Sequence, residues 1–150
     1  MKTILALALT LSLSAATSAH ADLALRVGTF DLYGQPGHVP SPSCDVGHRI
    51  LLDEGRLSGP FAVVTAFVRG TCEVAVDETP LYFPLTVGNA GCGSTLLTGS
   101  SESREGSYSI RVIDHRTRLC RDLPPAKVIV ELTGPSGTTT LYSRLRGSSD

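Results

Sequence analysis

The chain has 150 residues, 41% of them hydrophobic and 18% charged, with a formal net charge of −1. This near-neutral balance, without a polybasic run or an amphipathic helix, excludes a nucleic-acid binder, which needs a clustered basic surface, and a membrane-surface binder. The length fits one domain that buries roughly two thirds of the surface its unfolded chain exposes.

Residues 1–21 carry the three parts of a secretory signal peptide. Lys2 supplies the basic start, residues 4–13 form an apolar run too short to span a bilayer, and Ala19-His20-Ala21 closes a small polar stretch with a cleavable pattern. The expected product is a single all-β domain over residues 22–150, secreted or periplasmic and not inserted in a membrane. Loss of Lys2 leaves 12 basic and 14 acidic residues, a net charge of −2.

The mature chain opens with a strand over residues 23–33, whose phase change falls at Gly28, where a bulge is expected. Three prolines and two glycines make residues 34–43 a loop, and a short strand follows over 46–52. After a polar turn at 53–60, residues 61–68 (F-A-V-V-T-A-F-V) are apolar almost throughout. They predict a central strand covered on both faces.

The stretch 68–94 reads as the anchor of the fold, with two β-like runs, 72–76 and 81–87, between Cys72 and Cys92. Phe83, Leu85 and Val87 alternate with Tyr82, Pro84 and Thr86. Pro84 cannot donate to a ladder, which makes 81–87 an edge strand or a bulged one. Residues 88–93 read as a glycine-rich loop, 94–98 as a short strand and 99–106 as a mobile polar loop. Strands over 108–113, 126–133 and 138–145 complete the chain, with Gly134-Pro135-Ser136-Gly137 as a turn. The pattern predicts an antiparallel β-sandwich or small barrel of about eight to nine short strands.

Four cysteines in an exported chain imply two disulfides with three possible pairings. Cys44 precedes Cys72 by 28 residues, and Cys92 precedes Cys120 by the same distance. A hairpin turning at 53–60 brings Cys44 to Cys72, so Cys44–Cys72 and Cys92–Cys120 are preferred, the second on looser grounds. Oxidised thiols argue against a metal at Cys44-Asp45-Val46-Gly47-His48. His48 is instead expected as an exposed histidine beside a disulfide, and no metal or other cofactor is expected.

His38, His48 and His115 supply bases for a triad, but no G-x-S-x-G elbow accompanies them, and Asp53-Glu54 and Asp77-Glu78 sit at turns. Gly88 to Gly93 lacks the glycine order and lysine of a phosphate loop. The distinctive surface candidate is the loop 114–122, where Arg116, Arg118 and Arg121 surround Leu119 and Cys120. A tethered loop of this kind suits a protease cleft or an acidic partner. The expected function is a protein-binding module with an unknown protein partner, and within that class a protease inhibitor acting through Arg116, Arg118, Leu119 and Arg121. The alternatives are a small secreted hydrolase, or an envelope component assembling through the edge of the 81–87 strand.

Overall fold

Eight strands follow one another in chain order around a closed antiparallel barrel, each hydrogen-bonded to its neighbours in sequence. The computed structural model describes residues 27–76, 79–91, 94–115 and 126–143. The strands are β1 (Gly28–Tyr33), β2 (Cys44–Asp53), β3 (Phe61–Gly70), β4 (Leu81–Gly91), β5 (Ser94–Ser103), β6 (Gly106–Asp114), β7 (Val128–Gly134) and β8 (Gly137–Ser143). β1 and β8 close the ring through Leu32–Ser143 and Tyr33–Tyr142. The architecture is therefore the barrel and not the sandwich.

Alternation with period two decides which way each side chain points. Leu32, Ile50, Leu52, Ala62, Val64, Phe83, Leu97, Ile110, Val112, Val128 and Val130 face inward and are at most 2% exposed. Burying each of the larger ones stabilises the fold by roughly 1.5–3 kcal/mol. The alternate positions put charge on the outer wall, where Asp31 accepts from Arg49 at 2.9 Å and Arg69 at 3.1 Å, and Glu131 from Arg111 at 2.8 Å. Solvent-accessible pairs of this kind add little to stability.

One end of the barrel, called the mouth below, carries the 34–43 loop, the β3–β4 connection and the tight turns after Ser103 and Gly134. The opposite end carries the 54–60 turn, Gly91 and Ser94 where β4 and β5 pair, Asp114 and Val128 where β6 and β7 pair, the start of β1 and the finish of β8. Cys44 and Cys72 are bonded at the mouth with their Cα atoms 5.1 Å apart. The β2–β3 register explains this: Cys44 lies opposite Gly70, and the Thr71 N–H reaches the Ser43 carbonyl at 2.8 Å. The preferred partner bridge, Cys92–Cys120, lies outside the described residues, as does the 1–21 segment.

Several expectations need correction. Residues 72–76 form no strand. Val74 is 53% exposed and has nothing to pack against, because β4 starts at Leu81 and pairs back to Val64. β3 is covered on one face only, since its other face is the barrel's outer wall. β4 is no edge, because it pairs with β3 through 81–84 and with β5 through 85–91, and its irregularity comes later, between Asn89 and Gly91. Residues 88–91 are strand, and so are 99–103, which form one arm of a β5–β6 hairpin instead of a mobile loop. Glycine and serine carry no apolar alternation there, yet cross-strand neighbours supply the ladder.

Gly99 shows why the small residue is needed. A Cβ at this inward position would sit 2.4 Å from the Pro84 carbonyl oxygen and 3.1 Å from Leu85. The β4 backbone crosses close to β5 at the point where it leaves that strand for β3.

Candidate functional site

The mouth of the barrel holds a cavity of about 810 Å3. Val64 and Ala66 of β3, Leu81 of β4 and Leu132 of β7 give it an apolar wall, and His48 of β2 and Tyr108 of β6 add polar groups. Thr79 and the hairpin residues Glu102, Ser103, Arg104 and Glu105 form its rim. Each strand contributes through its inward phase, so the cavity is the upper, unfilled continuation of the core. Phe83, two residues beyond Leu81 along β4, continues the same inward row into the buried core.

The rim is held in place by its own hydrogen bonds. Ser107 donates to both Glu102 oxygens, at 2.7 and 2.8 Å, and the Tyr108 hydroxyl donates to Glu105 at 3.1 Å. Ser103 Oγ donates to the Gly106 carbonyl at 3.3 Å and accepts from the Glu105 N–H at 3.1 Å. Burial holds the His48 imidazole below its usual value, so it meets the cavity uncharged at neutral pH. His48 is thus half-buried and inward-facing, not the exposed histidine expected from its neighbour Cys44.

A second cluster sits on the outer wall under the 34–43 loop. Tyr33 stacks on His38 with ring centroids 4.1 Å apart and meets Phe67 edge-on at 6.1 Å. The Tyr33 hydroxyl donates to Asp45 Oδ2 at 3.0 Å, and His38 Nε2 lies 3.1 Å from Asp45 Oδ1. Gly47 lets the rings close over the sheet, because a Cβ there would stand 2.7 Å from the Leu32 carbonyl and 3.0 Å from Phe67. The guanidinium groups of Arg49 and Arg69 lie 5.5 and 4.8 Å from the Phe67 ring. Asp45 here accepts from a phenol and faces an imidazole, a clasp that pins the loop to β1 and β2.

Burial, then the hydrogen bond to Asp45 and the charge of Asp45, push the Tyr33 hydroxyl up from 10.0 to about 12. The neutral phenol is the form that the fold favours. Its contribution is present in full below pH 10 and is lost as the pH rises from 10 through 12. Phenolate absorbance should therefore show one tyrosine ionising near pH 12, and Asp45→Asn should bring that ionisation back towards 10. A wild-type titration complete by pH 11 would remove the clasp.

The residues singled out from sequence are scattered. Arg116, Arg118, Leu119 and Arg121 lie outside the described residues. The described residues on either side are joined, since the His115 N–H donates to the Lys127 carbonyl at 2.8 Å. The three histidines fall in three places: His38 on the outer wall, His48 in the mouth and His115 at the far end. Among the described residues no group of three or more His, Cys, Asp or Glu is placed to hold a metal ion. Sequence reasoning weighed Tyr108 only as one of four scattered tyrosines and missed Leu132 and the rim, whose one legible signal was the inward phase of 108–113 and 126–133. Comparison with protein-family models, curated protein sequences and solved structures finds no match to this chain.

Proposed function

We propose that the protein is an exported, disulfide-stabilised binding module that holds an apolar group of its partner in the mouth of the barrel and carries no chemistry of its own. The observation that carries this reading is the cavity of about 810 Å3 with an apolar wall, a neutral imidazole and a charged rim. Binding sites have this size and this mixture, and barrel mouths are among the places they occur. The hydrolase alternative has less support, because Ser103 spends its hydroxyl on the hairpin turn and Asp45 is shared between His38 and Tyr33. Export follows from the leader-like residues 1–21 and agrees with the Cys44–Cys72 bridge. Charged pairs on the outer wall suit a barrel working in water, since a membrane barrel turns an apolar band outward.

A second reading keeps the 114–122 loop as a protease-directed element, favoured by the His115–Lys127 backbone hydrogen bond that joins the described residues on either side of it. One pair of measurements tests both. Nile red should bind with a saturable fluorescence rise that Leu132→Asp abolishes while the circular dichroism of the barrel is kept. No saturable rise overturns the cavity reading. Stoichiometric inhibition of a trypsin-like protease, removed by Arg118→Ala, would move the function to the loop.

A further inference from the structure

Of the two polar side chains in the cavity wall, the fold uses Tyr108 and leaves His48 over. The Tyr108 hydroxyl donates to Glu105, while among the described residues the His48 imidazole has no hydrogen-bond partner. A neutral imidazole carries one N–H donor and one nitrogen acceptor, and a half-buried group of this kind gains by finding a partner. Its register neighbours are Leu32 on β1 and Ala66 on β3, neither of which has a side-chain polar atom to offer.

The charges around His48 are turned away from it. Asp31 of β1 pairs with Arg49 and Arg69 on the outer wall, and Asp45 of β2 is held under the 34–43 loop by Tyr33 and His38. Glu131 of β7 pairs with Arg111 of β6, also outside. β4 and β8 contain no charged residue. The remaining charges, Glu102, Arg104 and Glu105, stand at the rim, where Glu102 accepts from Ser107 and Glu105 from Tyr108. Among the described residues, therefore, no charged side chain of the apolar wall stands ready to neutralise a charge brought into the cavity.

We propose that the cavity takes a small uncharged amphipathic molecule, an apolar chain or ring system with one hydroxyl-type group that hydrogen-bonds His48, and that protonation of His48 releases it. The proposal rests on the reading of the cavity as the binding site and names its occupant. The volume of about 810 Å3 exceeds what one protein side chain fills and falls within the roughly 300–1,000 Å3 of small-molecule pockets. A hydroxyl matches both the donor and the acceptor of the imidazole, and the apolar body matches Val64, Ala66, Leu81 and Leu132. A carboxylate or an ammonium would give up its water for a wall that holds no opposite charge. The same reasoning applies to His48 itself. A ligand over the imidazole removes its remaining water and has no charge to offer the imidazolium, so the ligand binds the neutral form and the charged form expels it.

The test uses three probes with one chain length and three head groups, namely decanol, decanoate and decylammonium, each displacing Nile red from the whole protein. At about pH 7.5 His48 is neutral, and decanol should displace the dye at concentrations about tenfold or more below the other two. Affinity for decanol should be full there and be lost as the pH falls through the His48 value, which burial holds below the usual 6.5. The weakening should reach about threefold or more by about pH 5 and steepen towards tenfold per pH unit. His48→Gln keeps a donor and an acceptor but does not titrate, so its affinity for decanol should not vary over this range. Decanoate or decylammonium binding as tightly as decanol, or none of the three displacing a dye that still binds, would overturn the ligand class and leave the cavity reading standing. A decanol affinity constant with pH, or a pH course that persists in His48→Gln, would overturn release through His48. No saturable Nile red binding by the wild-type protein would remove the cavity reading and the proposal together.

Discussion

Phe83→Ala should lower the free energy of unfolding by about 3–5 kcal/mol, the range for deleting a buried aromatic ring from a packed core. Phe83 is 0% exposed and belongs to the central apolar cluster with Ala62, Val64, Leu85 and Leu97. Its register partner across β3 is Ala62, whose small side chain leaves space that the ring fills. No neighbour is free to collapse into the void, because β4 is held on both sides, by β3 above Pro84 and by β5 below it. The loss thus includes both the transfer free energy of the ring and the cavity left behind. For a chain of this size the midpoint of thermal unfolding should fall by roughly 10 °C or more. Urea unfolding of both proteins with equal slopes measures the difference. A loss under about 1 kcal/mol would mean that the ring does not fill the barrel as described. The same substitution should extend the mouth cavity downward past Leu81, so Nile red should bind the variant at least as tightly as the wild-type protein.

The sequence made the strands legible wherever apolar residues alternate, as in β2, β6, β7 and β8, because a half-buried strand must repeat every second residue. It also made the Cys44–Cys72 bridge legible, since a hairpin turning near residue 57 makes the positions of Cys44 and Cys72 converge. β5 was only partly legible. Its inward positions include Thr95, Gly99 and Ser101, so half of it looks like a polar loop until β6 is laid beside it. Closure was not legible at all, since the pairing of Leu32 with Ser143 joins residues from opposite ends of the chain. Pro84 was read as the mark of an edge or bulged strand, whereas β4 changes partner at that residue, from β3 through 81–84 to β5 through 85–91, and its irregularity falls between Asn89 and Gly91. The cavity is a property of the gap between strands and has no local signature. His48 and Tyr108 became site residues only when the barrel placed them across that gap from each other.

The double substitution Cys44→Ser, Cys72→Ser should cost about 3.5 kcal/mol at 25 °C on the chain-entropy account, since the bridge closes a loop with a sequence separation of 28. Replacing both cysteines avoids leaving a thiol that exchanges with other cysteines. The effect should also be local. The upper part of the β2–β3 hairpin, residues 44–49 against 65–70, stands beyond the last β3–β4 pair, so among the described residues β3 pairs with a strand on one side only there. The bridge, with the Thr71–Ser43 hydrogen bond of 2.8 Å, fixes the tip of that hairpin. Without it, amide exchange should quicken at the tip more than in the barrel below, where loss of protection follows global unfolding. The cavity wall lies mostly below the hairpin tip, so Nile red binding should change little. Urea unfolding gives the global cost, and exchange resolved by residue gives its location. An unchanged unfolding midpoint would assign the bridge no part in stability. Uniform acceleration of exchange throughout the barrel would mean that the hairpin tip has no separate dependence on the bridge and is held by the barrel itself.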